Sequence, residues 1–398
     1  MIAVLINSLA IGGAERVALT LLKEIHQRDH QTILICVDAE DGYEPPDFCE
    51  IIYLTNFNKL HHPIYKIIWI TICAFRLRML IRNKNIHAVQ SHLNRANLIN
   101  TASKIFGATH YAQIVLHTQL RFSRWRLIAW VKKTLFKWLY TKADLMVSIS
   151  SAMQNRISDT LNLVEGQPYQ VVIPNPHDID RIKALAKAEP EGFTFDKKKK
   201  YLISAGRQIE LKNVAKIIEA FSKVEKIIPD VELIILGDGP SKSFNQSIAL
   251  REKLTHKIHF MGHMPNPFAY VSRCDLLVLA SESEGLPNII IESLICDVPV
   301  LSSDCPTGPR EILSPDSDVS GQIIDQIEYA PYGVLFPTRR PDLMAEAMVE
   351  LLQDESLHSA IKNRAREYVK NYAQKGIADR YLAFYPSIDP SGKLKNQE

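Results

Sequence analysis

The sequence predicts an α/β protein built from two doubly wound parallel sheets, one after the other. Three observations carry this. Short apolar runs alternate with stretches of helical period along the chain, the pattern of a sheet covered by helices on both faces. The alternation begins afresh near the middle, after a Pro174-Asn175-Pro176 turn and a charged run at 197–200. The 398 residues exceed one ordinary domain and suit two of about 150–200 residues each.

In the first half, residues 1–7 (MIAVLIN) are almost continuously apolar, as a strand buried on both faces is. Gly12-Gly13 supplies a turn, and 14–26 repeats its apolar residues at helical spacing. Further strands are expected at 32–37, 86–91, 111–116 and 144–149, with helical stretches between the later ones. The second series opens with a strand at 201–206 and a helix at 214–224. A strand at 231–236 ends in Gly237-Asp238-Gly239-Pro240, and strands at 257–261 and 276–280 follow. A helix at 289–296 leads to a short strand at 299–303. The expected domains are 1–173 and 174–374, with a helix at about 375–390 completing the first and a polar, frayed end from Ser391. No internal sequence repeat is present.

Hydrophobic residues make up 46% and charged residues 23%, which suits a globular protein and excludes disorder and collagen. Six scattered cysteines form no C-x-x-C pair, which argues against a zinc or redox site. The start has no basic leader before its strand, so a reduced, cytoplasmic setting is expected. The net charge of +3 conceals a strong asymmetry: residues 51–143 hold 15 Lys or Arg and no Asp or Glu. Such polarity points to an anionic partner on one face.

Ligands of open parallel sheets bind beyond the carboxyl ends of the strands, so residues just after strands matter most. Gly206-Arg207 and Lys212-Asn213 follow a strand and enter a helix. Two cations beside a helix N-terminus suit a diphosphate, although an ordinary surface loop would look the same. Glu284-Gly285-Leu286-Pro287-Asn288 follows another strand, and Glu292 lies among Ile289, Ile290, Ile291, Leu294 and Ile295. A carboxylate in that apolar setting needs a partner. Sugar or ribose hydroxyls would serve, and so would a structural salt bridge.

Taken together, Gly206-Arg207-x4-Lys212-Asn213 followed by Glu284-Gly285-Leu286-Pro287-x4-Glu292 resembles the retaining glycosyltransferases of family four, which have the GT-B architecture. The likeness extends over nearly the whole chain. Gly12-Gly13-Ala14-Glu15-Arg16 resembles the family's N-terminal glycine loop, Ile173-Pro174-Asn175 its interdomain turn, and Leu236-Gly237-Asp238-Gly239-Pro240 its mid-domain turn. The resemblance implies two Rossmann-like domains facing across a cleft, the first taking the acceptor and the second a nucleotide sugar, with UDP as the family's habit.

It also implies roles. Arg207 and Lys212 would hold the donor diphosphate, with Gly206 beside them. Glu292 would bind the ribose, and Glu284 the donor sugar, within the Glu284–Asn288 loop of Gly285, Leu286 and Pro287. Gly13 would offer its N–H to a phosphate oxygen, and His117 matches the family's active-site histidine, where physics alone would favour a structural role. His92 is a weaker candidate for the acceptor side. With no carboxylate in residues 51–143, a front-face attack is expected rather than a covalent intermediate. No metal and no other cofactor is expected. Asp178-Ile179-Asp180 reads as a helix cap, and Asp316-Ser317-Asp318 as a polar loop. The segment from Asp304 to Leu313 resembles that of bacterial members transferring N-acetylhexosamines to lipid-linked oligosaccharides, a hint of N-acetylgalactosamine or N-acetylglucosamine.

Residues 121–142 hold seven Lys or Arg (among them Arg121, Arg124, Arg126, Lys132, Lys133 and Lys137), three Trp and no acid. That is the composition of an interfacial amphipathic helix. Residues 64–81 are too polar and short to span a bilayer comfortably. The expected partners are therefore a nucleotide sugar, a lipid-linked or membrane glycan acceptor, and an anionic membrane at the inner face of the plasma membrane. No nucleic-acid motif occurs. Competing readings are a sugar-nucleotide epimerase of the same architecture, a glycoside hydrolase and an inactive glycan-binding scaffold. A hydrolase needs two carboxylates flanking one bond, and a dehydrogenase lacks its G-x-G-x-x-G at a first strand.

Overall fold

The computed structural model of the chain describes residues 1–385 apart from 41, 56–62, 121, 123, 124 and 165, and for 63–67 the backbone alone. The chain divides into two compact units: Met1–Pro176 with the segment from Gln374 on, and His177–Ala373.

The first unit runs β1 (Ile2–Ile6), α1 (Gly13–His26), β2 (Thr32–Asp38), β3 (Glu50–Thr55), α2 (Pro63–Lys84), β4 (Ala88–His92), α3 (Asn94–Ile105), β5 (Tyr111–Leu116), α4 (Arg126–Tyr140), β6 (Leu145–Ser148), α5 (Ser151–Leu161) and β7 (Tyr169–Val172). All seven strands are parallel, in the order β3-β2-β1-β4-β5-β6-β7. Every residue of β1 is buried, as its unbroken apolar run requires. α1 turns Val17, Ala18, Leu21, Leu22 and Ile25 inward, one face at helical spacing. The terminal helix Gln374–Leu382 packs on this unit. Arg28 bonds the Asp379 carboxylate at 2.8 Å and the Lys375 carbonyl at 2.9 Å, while Leu382 and Tyr385 pack against Ile2, Ile25 and Ala88. Residues 386–390 of the helix expected at 375–390, and the polar end from Ser391, lie outside the described residues.

The second unit runs α6 (Ile179–Ala186), β8 (Lys200–Ala205), α7 (Val214–Ile227), β9 (Val231–Leu236), α8 (Lys242–Arg251), β10 (Ile258–Gly262), α9 (Phe268–Val271), β11 (Leu276–Leu279), α10 (Asn288–Ile295), β12 (Val300–Ser303), α11 (Pro309–Leu313), β13 (Glu328–Ala330), β14 (Gly333–Phe336), α12 (Pro341–Gln353) and α13 (Glu355–Tyr368). Its strand order is β10-β9-β8-β11-β12-β14-β13, parallel except for β13. Ile217, Phe221 and Val224 of α7 and Met348 and Leu351 of α12 share one core with Leu233, Val278, Leu301 and Val334 of the strands. Each sheet is therefore doubly wound. The strand order reverses between β1 and β4 in the first unit and between β8 and β11 in the second. Such reversals open a crevice at the carboxyl ends, where ligands of this architecture bind.

Strands β3, β7, β13 and β14 are absent from the sequence reading. β14, only four residues long, lies buried between β12 and β13, and the other three lie at sheet edges. There one side of the strand meets solvent, and β3 and β7 are largely exposed or half-buried, without the continuous apolar run of a central strand.

Candidate functional site

In the second unit the notable residues gather at the strand-order reversal. Gly206 follows β8, and its N–H donates to Leu236 O at 3.1 Å at the end of β9. Gly237 has φ +107, and a Cβ there would run into the Gly206 carbonyl, so the loops after β8 and β9 touch through bare backbone. Gln208, fully buried, ties them together. Its amide donates to Gly237 O at 2.7 Å and accepts from Asn245 at 2.9 Å. Arg207, between these anchored neighbours, is exposed and makes no ion pair among the described residues.

Lys212 closes a short 3-10 turn, Glu210–Lys212, and Asn213 follows at φ +49, a left-handed conformation that Asn tolerates. The Asn213 amide donates to Ala280 O at 3.0 Å, binding the turn to the end of β11. Lys212 Nζ lies 2.5 Å from Glu284 Oε1. The two halves of the motif, 72 residues apart, are thus one ion pair. The Lys212 side chain is 27% exposed and that of Glu284 10%, so the pair is partly desolvated. Gly285, Leu286 and Pro287 lead into α10, which Asn288 opens. Glu292 on α10 is buried beside Ile291, Ser293 and Leu294.

A third loop, after β12, supports the second. Thr307, at φ +69, donates its hydroxyl to the Glu284 carbonyl. Arg310 on α11 is 8% exposed and bonds both oxygens of Asp304 (3.1 and 2.7 Å) and both of Glu328 (3.3 and 2.8 Å). The sequence reading passed over Gln208 and gave Thr307 and Arg310 no role. Gln208 and Thr307 bond residues 29 and 23 positions away, while Arg310 bonds Asp304 only six residues before it, in a loop whose shape no local pattern signals.

The first unit carries its own group at the carboxyl ends. His92 ends β4, and His117 follows β5. Their rings stack with centroids 5.1 Å apart, and His92 Nδ1 lies 2.8 Å from His117 Nε2. Burial lowers the His117 pKa to about 4 and that of His92 well below its ordinary value, helped by His117. Both are neutral at pH 7, so one ring donates and the other accepts. His92 Nε2 is buried with no hydrogen-bond partner among the described residues. Gly13 is the first residue of α1, preceded by Gly12, where a Cβ would collide with the Glu15 carboxylate. Asn7, after β1, accepts from Ala96 N at 3.2 Å and so caps α3.

Asp178 caps α6, accepting from Arg181 N at 3.1 Å, and Asp318 accepts from Ser320 at 2.9 Å within its loop. Among the described residues no group of three or more His, Cys, Asp or Glu could hold a metal ion, and no helix is long and apolar enough to cross a membrane. Trp125, just before α4, is 76% exposed, and α4 turns Leu127, Ile128, Trp130, Val131, Leu135 and Trp138 to solvent. Arg126 and Lys132 are exposed, and Lys133 and Lys137 half-buried, with Lys137 bonded to Asn162 O at 2.5 Å. Arg121 and Arg124 lie outside the described residues.

Comparison with known proteins agrees with this architecture. Residues 11–181 match the family described as "Glycosyltransferase Family 4", and residues 186–368 match "Glycosyl transferases group 1". A Campylobacter jejuni relative named N-acetylgalactosamine-N,N'-diacetylbacillosaminyl-diphospho-undecaprenol 4-alpha-N-acetylgalactosaminyltransferase is 28% identical, over 96% of this chain and 98% of its own. A second from that organism, a GalNAc-alpha-(1->4)-GalNAc-alpha-(1->3)-diNAcBac-PP-undecaprenol alpha-1,4-N-acetyl-D-galactosaminyltransferase, is 23% identical over 97% and 98%. Among solved structures, Anabaena HepE in complex with UDP superposes with a TM-score of 0.75 at 17% identity, covering 96% of this chain and 98% of that one. The two family matches in succession and the full-length relatives make this chain a glycosyltransferase of the family-four, GT-B type.

Proposed function

We propose that the enzyme transfers an N-acetylhexosamine or hexose, N-acetylgalactosamine or N-acetylglucosamine before others, from its UDP donor to a lipid-linked or membrane glycan, with retention at the anomeric carbon. The observation that carries this is the Lys212–Glu284 pair at the β8/β11 reversal, which brings the cationic and the carboxylate halves of the motif to one crevice. Arg207 and Lys212 hold the diphosphate and stabilise its charge as it leaves. Glu292 takes the ribose hydroxyls, and Glu284 the sugar, beside the backbone of Gly285–Asn288. Gly13 and His117 keep the roles that the family resemblance gives them. The bond from C1 to the diphosphate oxygen breaks, the bond to the acceptor oxygen forms on the same face, and the acceptor proton passes to the leaving phosphate. No metal or cofactor takes part in this scheme.

The acceptor chemistry follows the names of the two Campylobacter relatives, and the UDP donor agrees with the complex of Anabaena HepE. The exposed apolar residues of α4, beside Arg126, Lys132 and Lys133, support contact with an anionic membrane. On this reading the enzyme works as a peripheral protein at the inner face of the plasma membrane.

The test is thermal shift and calorimetry with a panel of UDP-, GDP- and ADP-sugars, followed by transfer to an undecaprenyl-diphosphate glycan and assignment of the product anomer by NMR. Stabilisation by a UDP-N-acetylhexosamine and an α-linked product are expected. A β-linked product would overturn retention, and no response to any nucleotide would overturn the donor site.

A further inference from the structure

The loop after β12 is shaped as a brace for the loop that carries Glu284. Three consecutive residues touch it. The Pro306 carbonyl lies 3.5 Å from the Glu284 N–H. The Thr307 hydroxyl donates to the Glu284 carbonyl. Gly308, at φ +91, rests so close that a Cβ there would stand 2.5 Å from Gly285 O and 2.6 Å from Pro287 Cδ. Thr307 itself is β-branched and buried at φ +69, a conformation such residues avoid unless their surroundings impose it.

What imposes it is visible. Asp304 and Arg310, the two ends of the segment, bond each other through both carboxylate oxygens, closing it into a ring. Glu328 and Ser317 hold Arg310 from outside, and the Ile323 N–H holds Asp304 at 2.7 Å. The strained turn is thus fastened at its base and pressed on one target.

We propose that the Pro306–Gly308 turn, stapled by Asp304 and Arg310, positions Glu284, and that Thr307 is the residue through which it selects a nucleotide sugar over the bare nucleotide. This rests on the donor-site reading above. Glu284 is the residue assigned to the sugar, whereas Arg207, Lys212 and Glu292 are assigned to the nucleotide. Loosening Glu284 therefore weakens the sugar-dependent part of binding and leaves the rest.

The experiment is calorimetry of wild type, Thr307→Val and Thr307→Ser with UDP and, separately, with UDP-N-acetylgalactosamine and UDP-N-acetylglucosamine. Val keeps the shape and removes the hydroxyl. Thr307→Val is expected to bind UDP within about twofold of wild type and the cognate UDP-sugar about tenfold or more weakly, because a Glu284 no longer held in place must be ordered when the sugar binds. Thr307→Ser should restore the preference. Should the valine variant not fold, Thr307→Gly removes the hydroxyl while suiting the positive φ, and is read in the same way. Equal loss for UDP and UDP-sugar, or no loss for either, would overturn the positioning role while leaving the donor site standing. Failure of wild type to bind any of the three ligands would overturn the donor site, and the positioning role with it.

Discussion

Replacing Lys212 by Ala tests the electrostatics of the donor site in two ways at once. In the free enzyme Lys212 and Glu284 neutralise each other across 2.5 Å, with side chains 27% and 10% exposed. A fully exposed pair is worth up to about 1 kcal/mol, and breaking a fully buried one costs roughly 3–5 kcal/mol, so this partly buried pair should cost about 1–3 kcal/mol of stability. For a unit of this size that lowers the melting temperature by roughly 2–12 °C. The effect on the ligand is separate. A charge-assisted contact to a diphosphate contributes about 1.5–3 kcal/mol, so UDP should bind roughly 10- to 150-fold more weakly. Glu284→Gln makes the opposite prediction for the bare nucleotide. Lys212 no longer shares its charge, so UDP affinity should hold or rise by a few-fold, while sugar transfer falls by roughly 100-fold. Calorimetry with UDP alone separates the two variants. If Lys212→Ala binds UDP as wild type does, or if both variants weaken UDP alike, the assignment of Lys212 to the diphosphate and Glu284 to the sugar is wrong.

Other consequences can be measured independently. Arg310→Ala leaves Asp304, 1% exposed, without its cation, and should cost about 3–5 kcal/mol in calorimetric unfolding of the second unit; an unshifted transition would contradict the staple. The buried histidines make the first unit acid-sensitive. Burial lowers the pKa of His117 to about 4 and of His110 to about 3, so above the unfolded value of about 6.5 their neutral forms cost nothing, and stability is lost as the pH falls from there toward 4. His117 alone accounts for about 3 kcal/mol of that loss, and denaturant melts of wild type and His117→Gln at pH 7 and 4.5 should differ accordingly; parallel pH dependence in the two would refute it. Lys132→Glu with Lys133→Glu should reduce co-sedimentation with anionic vesicles by roughly 10-fold or more, at about 1 kcal/mol per cation, and leave UDP binding alone. Unchanged sedimentation would remove α4 as the contact.

Much of the architecture is legible in the sequence because its determinants are local. The unbroken apolar runs of β1 and β11 read as strands covered on both faces, and Gly12-Gly13 and Gly237-Asp238-Gly239-Pro240 mark where the chain turns after β1 and β9. The edge strands β3 and β7 escape for the converse reason: a strand with one free edge needs no continuous apolar run, and its residues carry no periodic signal.

The candidate site divides along the same line. That Arg207, Lys212, Glu284 and Glu292 follow or flank strands is a property of the sequence, because each stands a few residues from an apolar run. That Lys212 meets Glu284 is not. It depends on β8 and β11 being neighbours, with two strands of intervening chain sent to the far side of the sheet. The contact of His92 with His117, the bridge that Gln208 makes between two loops, and the bond from Thr307 to Glu284 depend in the same way on which strands lie side by side. Local composition and spacing settle most of the elements, the doubly wound class and the residues that stand at the carboxyl ends. The tertiary structure alone decided the pairings among them, because strand order is set by how whole helices pack across a sheet, a free energy summed over the core that no short stretch of residues contains.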